Sequence, residues 1–394
     1  MSHESTPRSV LYRRMRSRDR GEEHRAATPL ELLFDLCFVV AVAIDGARLH
    51  DALLVGDPVR HAVIPYLLQF FAIWWAWMNF TWFASAYDTD DVPYRLAVLV
   101  QIAGVLVLAA GVPRAFDHGD FTIATLGYAI MRAGLVTQWL RAAWSDVDSR
   151  PTALRQAIGI TVLLALWGLN LLLPHALAVP AFLVLAAAEL ALPVWSERFS
   201  PTQWHPEHIA ERYGLFTLIV LGETVLATAT AVQAGLDAGT STVSLWLVAG
   251  SGLVIVFAVW WLYFDQPAEG LIRGTSAFIW GYGHFLIFAS AAALGAGVGV
   301  VVDVARSTDA TLPRVAASAT VTVPVAVLLL AVWVLHVRPH HRGRRRHLLL
   351  PLAAGLVSAA TLTRPALVVT AGIMAALVAA WVWVRRSARS ARRG

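Results

Sequence analysis

The chain alternates long apolar stretches with short polar ones. A helix needs about 20 mostly apolar residues to cross a bilayer core of about 30 Å. Runs of that kind recur near residues 30–48, 63–86, 94–112, 121–141, 155–173, 177–195, 208–233, 243–264, 276–301, 316–336, 347–361 and 366–384. The pattern predicts an all-α fold: a polytopic transmembrane helical bundle of about twelve spans. The run at 347–361 is short enough to be re-entrant or interfacial instead, which would leave eleven. Residues 1–27 are polar and rich in arginine, and no cleavage pattern follows them. The first apolar run is therefore expected to be a retained span, not a signal peptide.

Composition agrees with this reading. Of 394 residues, 58% are apolar and 14% charged, with a mean hydropathy of +0.62, whereas soluble domains run at about 45–50% and about 25%. The one cysteine, Cys37, excludes an internal disulfide and a cysteine-based zinc site. All 31 basic residues are arginine, so the charge map is an arginine map. With the N-terminus inside, twelve spans place 24 arginines on the cytoplasmic side and six outside, with Arg132 left inside the fourth span. An eleven-span chain would put the C-terminal arginines outside. The expected organisation is a cytoplasmic Arg-rich tail (1–27), two six-helix transmembrane halves (28–200 and 201–384) and a basic cytoplasmic tail (385–394), in a multi-pass protein of the cell membrane. The basic tails are expected to meet anionic lipid headgroups; nucleic acid is not an expected partner.

Two apolar motifs recur at one offset. Phe71-Ala72-Ile73-Trp74-Trp75 of span two matches Phe257-Ala258-Val259-Trp260-Trp261 of span eight 186 residues later, and Leu108-Ala109-Ala110-Gly111-Val112 matches Leu294-Gly295-Ala296-Gly297-Val298 at the same offset. Leu33-Phe34-Asp35-Leu36 meets Leu215-Phe216-Thr217-Leu218 at 182. Six spans per half is an even number, so such halves would share one orientation as a parallel 6+6 repeat.

Ionisable groups at membrane depth are costly and mark pathways or structural pairs. Glu31 and Asp35 lie one turn apart at the start of span one, where Arg25 and interfacial water would satisfy Glu31. Glu223 sits near the middle of span seven, with Gly214 and Gly222 allowing a neighbouring backbone to approach. Arg132 is expected to pair with Glu223 or Glu189, because burying opposite charges separately costs more than burying them together. An Arg132 that came and went would let Glu223 bind and release a proton. Span two ends in an aromatic cluster around Trp74 and Trp75. Asn79 lies within it, and the acidic group Asp88, Asp90 and Asp91 beyond it suits cation attraction at a cytoplasmic mouth. His205, Glu207, His208 and Glu211 open span seven without the HExxH spacing of a catalytic metal site. No metal or other cofactor is expected. There is also no phosphate loop, nucleophile elbow or cysteine nucleophile, so no enzyme site is read. These features together point to a transporter or channel for a small solute or ion through a polar core.

The segments Glu31-Leu32-Leu33-Phe34-Asp35-Leu36, Trp74-Trp75-Ala76-Trp77-Met78-Asn79 through Tyr87-Asp88-Thr89-Asp90-Asp91, and Glu211-Arg212-Tyr213-Gly214-Leu215-Phe216-Thr217-Leu218-Ile219-Val220-Leu221-Gly222-Glu223, in this order, resemble the bacterial low temperature requirement A family over roughly residues 25–385. The resemblance implies a polytopic membrane protein named for a cold-growth phenotype. It adds no substrate, and it leaves room for a membrane scaffold or lipid-interacting factor that does not transport. Its motif positions here are Glu31, Phe34, Asp35, Trp75, Asp88, Glu211, Arg212, Gly222 and Glu223. A more distant likeness joins Phe34-Asp35 to potassium channels that carry Phe-Ser-Asp in their first span.

Overall fold

The computed structural model of the chain describes residues 11–18, 26–55, 59–198, 200–239, 241–306, 312–340 and 345–390. Arg25, Arg342, Arg344, Arg392 and Arg393 lie outside them. The described residues form twelve helices: α1 (Pro29–Leu53), α2 (Val59–Tyr87), α3 (Val92–His118), α4 (Thr122–Ser145), α5 (Arg150–Asn170), α6 (His175–Ser196), α7 (Pro206–Asp237), α8 (Thr242–Phe264), α9 (Thr275–Arg306), α10 (Arg314–His340), α11 (Leu349–Ala360) and α12 (Ala366–Ser390). No strand occurs among the described residues. Each helix falls on one of the twelve predicted runs.

Nine of these helices, α2, α3, α5 to α10 and α12, are long and apolar enough to cross a membrane. The other three fall short for different reasons. Helix α1 has the length but carries Glu31, Asp35, Asp45, Arg48 and Asp51, and α4 carries Arg132 and Arg141. Helix α11 has 12 residues, which at 1.5 Å per residue span about 18 Å, too little for the bilayer core.

Packing divides the chain into two units. The first holds residues 1–41 and 72–212, the second 42–71 and 213–394. Helices α1, α2 and α7 thus each contribute to both.

In the first unit, α3 and α4 form the most extensive helix pair. Asp91 caps α3 by accepting the Tyr94 backbone N–H at 3.1 Å, and Gly119, left-handed at φ 68°, ends it. A Cβ at Gly111 would overlap the backbone of Ala124, and one at Gly127 the backbone of Leu108. Glycine is what lets the two backbones touch. Residues 11–18 are not a loose tail: Met15 is fully buried and the Arg13 backbone N–H donates to Asp91 at 2.7 Å.

In the second unit, α9 and α10 are the corresponding close pair, and a Cβ at Gly297 would overlap the Thr320 backbone. The C-terminal α12 packs on α8, where Trp381 Nε1 donates to Asp265 at 2.8 Å and Arg385 pairs with the same carboxylate.

Candidate functional site

Thr28-Pro29-Leu30-Glu31 starts α1 as a capping box. The Thr28 N–H donates to Glu31 Oε2 at 2.8 Å, and the Glu31 N–H donates to Thr28 Oγ1 at 3.3 Å. The free oxygen of Glu31 then meets Arg212 Nη1 at 2.8 Å and His208 Nε2 at 3.2 Å. One turn on, Asp35 takes the other edge of the same guanidinium, from Nη2 at 2.6 Å and Nε at 3.1 Å, together with Trp77 Nε1 at 2.7 Å. Glu31, Asp35 and Arg212 are each at most 1% exposed. The i, i+4 spacing of the two carboxylates puts them on one face, and a planar fork can bind both. Arg212 is thus the partner of Glu31. Phe34 packs between Phe38 and Phe80, and Glu211 accepts the Ala27 N–H at 3.3 and 3.2 Å, tying the start of α7 to the entry of α1.

A second cluster in the same unit centres on Glu189 of α6. It accepts from Arg132 Nη2 at 2.6 Å, Trp75 Nε1 at 2.8 Å, the Tyr128 hydroxyl at 2.8 Å and Trp167 Nε1 at 3.2 Å, and Arg132 also donates to Tyr128. Of the two expected partners for Arg132, the pair is with Glu189. Trp75 therefore does more than pack. Asn79 Nδ2 donates to the Trp75 carbonyl of its own helix at 2.7 Å.

The acidic group after α2 is largely committed to arginines. Asp90 binds Arg95 at 2.8 and 2.9 Å; Asp91 binds Arg141 at 2.8 Å and the backbone of Arg13 and Tyr94. Burial opposes ionisation of Asp91, but the Arg141 guanidinium and the two backbone N–H donors outweigh it and hold this carboxyl below its ordinary range. Asp88 is half-buried beside them.

The second unit handles charge differently. Glu223, on α7, opens into a cavity of about 340 Å³ formed by α1, α7 and α9 and lined by His50, Thr224, Thr230 and Asp303 among small residues. His50 Nε2 lies 2.9 Å from Asp303, whereas Glu223 itself makes no hydrogen bond or ion pair among the described residues. His50 of α1 lines the same cavity as Glu223, and Arg132 belongs to the Glu189 cluster instead. Within the first unit Asp35 and Arg132 belong to separate clusters, each with its own partner; Glu223 belongs to the second unit. Gly222 does not admit a neighbour: a Cβ there would meet open space, while one at Gly214 would press on the Phe264 ring at 3.2 Å. The doubled tryptophans also differ. Trp74 and Trp75 are buried, whereas Trp260 and Trp261 are 44% and 43% exposed, on helices whose outer surface is suited to lipid.

Two features of the second unit went unnoticed in the sequence. Asp45 of α1 is fully buried, and neither carboxyl oxygen has a hydrogen-bond partner among the described residues. His284 of α9 and His336 of α10 face each other, Nε2 to Nε2 at 3.3 Å, with the Tyr263 hydroxyl 3.1 Å from His284 Nε2. The His284 Nδ1 to Trp280 carbonyl contact at 2.7 Å requires a proton on Nδ1, so in the neutral ring Nε2 is the acceptor for both neighbours. The available signal was a third acid inside the first predicted span and a single histidine inside each of the ninth and tenth.

The order of the motifs, and the way Arg212 joins two of them in space, now stands beside the comparisons with known proteins. Residues 26–382 match the bacterial low temperature requirement A protein family (LtrA). The chain belongs to that family. It is also 29% identical, over 292 residues covering 68% of each chain, to an uncharacterised protein of Rhizobium meliloti (strain 1021). In this LtrA chain two of the family-resembling segments meet at one guanidinium: Glu31 and Asp35 come from the first, Arg212 from the last, and the middle one contributes Trp77.

Proposed function

We propose that this LtrA protein is a membrane transporter or channel for a small ion or solute, with the cavity between α1, α7 and α9 as part of its route and Glu223 as the group that meets the cargo. The observation that carries the reading is an unpaired carboxyl at the middle of an apolar 32-residue helix, opening into a cavity that also presents the His50–Asp303 pair. An acid kept at membrane depth without a partner is costly unless it is used. The acidic lining favours a cation or a protonated solute. Purified protein in liposomes should carry a flux of protons, monovalent cations or an organic cation that Glu223→Gln abolishes. Absence of flux for all of these, with and without a pH gradient, would remove the reading.

The finer architecture belongs to the same proposal. Twelve spans, with both termini cytoplasmic, fit the arginine distribution and require the residues flanking the 12-residue α11 to complete its crossing; a reporter fused after Arg386 should then read cytoplasmic. A parallel 6+6 repeat draws support from Gly111 and Gly297, which are 186 residues apart on α3 and α9 and each fit against the backbone of the next helix, at Ala124 and Thr320. No catalytic role is proposed.

The alternative is a scaffold or lipid-interacting factor that supports growth in the cold, and the arginine-rich tails with their affinity for anionic headgroups favour it. Cold growth separates the two. The scaffold reading requires growth to survive Glu223→Gln and to fail when the tails are removed.

A further inference from the structure

The geometry points to Asp45 as a buried proton-binding site in the second unit, with a proton as its ligand. This deepens the transport reading and rests on it for its role, though not for its chemistry. Asp45 lies 16 residues into the 25-residue α1, about 24 Å from its start at 1.5 Å per residue. It is 0% exposed, and neither oxygen has a hydrogen-bond partner. An ionised carboxylate stripped of water, with neither donor nor counter-charge, carries a penalty of several kcal/mol or more, which a group escapes by keeping its proton.

Among the described residues, the groups placed beside Asp45 do not satisfy it. Among the described residues, Tyr66 of α2 is a titratable side chain close enough to interact with it. The hydroxyl proton of Tyr66 is already committed to the Ala289 carbonyl at 2.6 Å, so Tyr66 cannot donate to a carboxylate. Helix α9 approaches α1 here through Gly46, where a Cβ would sit 3.9 Å from the Ala292 carbonyl, and this stretch of α9, at Ala289 and Ala292, carries no charge. Asp45 also stands between two spaces. Val42, Gly46 and His50 of the same helix line the cavity of Glu223, while Leu49 and Leu53 line a second, nearly apolar cavity of about 630 Å³ that Tyr66 also faces. A small rotation of α1 would turn Asp45 toward the cavity that Glu223 lines, where water can receive its proton. The proton would be retained in the closed arrangement and exchangeable in the open one.

Infrared spectroscopy of the full chain in lipid bilayers tests this directly. At neutral pH the wild type should show the carbonyl stretch of a neutral, non-hydrogen-bonded carboxylic acid. That band should be lost in Asp45→Asn and kept in Glu223→Gln. Aspartate labelled with carbon-13 at the side-chain carboxyl should shift the band in the unmutated protein, which removes any dependence on how the variant folds. A missing band, a band unmoved by the label, or one that survives in Asp45→Asn overturns the assignment. For the role in transport, Asp45→Asn should flatten the pH dependence of flux, and an unchanged pH profile overturns it. If the band behaves as expected and the wild type carries no flux, the transport reading fails while the proton site stands.

Discussion

The two units bury acids in opposite ways. In the first, Glu31 and Asp35 share Arg212, Glu189 collects four donors including Arg132, and Asp91 sits against Arg141. In the second, among the described residues, Asp45 has no hydrogen-bond partner and Glu223 opens into a cavity without one. Paired buried charges hold a geometry, because removing one side strands the other. An unpaired acid holds nothing together and persists only where something else binds it. Under the proposed transport role, the first unit holds the architecture and the second the route, although the segment Glu211 to Glu223 contributes to both.

The largest effect should come from Arg212→Met. It strands two carboxylates that are at most 1% exposed and is expected to destabilise the protein by about 3–5 kcal/mol, read as a large fall in the thermal unfolding midpoint or as failure to insert. A variant as stable as wild type would break the comparison at its firmest point. Glu189→Gln comes next. It leaves Arg132 charged and buried and turns an amide donor toward groups that themselves donate, costing about 3 kcal/mol. The double change Arg132→Met with Glu189→Leu should recover most of that loss, since apolar groups that fill the same space often replace a buried pair at little cost. If the double variant is as unstable as the single one, the cluster does more than fix geometry.

Glu223→Gln should behave in the contrary manner. With no partner to lose, its stability should stay within about 0.5 kcal/mol of wild type, while flux falls. A stability loss comparable to that of Arg212→Met would place Glu223 among the architectural acids and dissolve the contrast between the units.

Helix positions were legible because an apolar run of bilayer length leaves little alternative, and each of the twelve runs became a helix. The Arg132–Glu189 pair was one of two legible options, since opposite charges at depth must find each other. Arg212 was not legible as a ligand of Glu31 and Asp35: it lies 181 residues from Glu31 in the chain, and sequence periodicity reports which face a residue is on, not which distant helix it meets. Asp45 was not legible as a buried group, because a lone acid in an apolar run does not say which neighbouring helices enclose it; the helix runs past it to Leu53. The tryptophan doublets misled in another way. Matching sequence at Trp74-Trp75 and Trp260-Trp261 carries no information on burial, and the first pair is interior while the second is not.

The smallest effect should come from an acid that is paired but exposed, which separates pairing from burial. Asp120, in the turn between α3 and α4, accepts from Thr122 N–H at 3.1 Å and from Arg114 at 2.8 and 3.1 Å. Hydrogen bonds from Thr122, then the Arg114 guanidinium, bring its pKa down to about 2, below the ordinary aspartate value of about 3.9. The folded state therefore binds this proton less readily than the unfolded chain. The contribution to stability is complete above about pH 4 and disappears as pH falls toward 2. Solvent screens a pair this open, and added salt should trim the Arg114 share while leaving the Thr122 bonds in place. The unfolding midpoint of Asp120→Ala should accordingly lie slightly below wild type at pH 6, and the gap should narrow below pH 4. A gap at pH 6 as wide as that of Arg212→Met would mean that pairing alone, without burial, fixes the first unit.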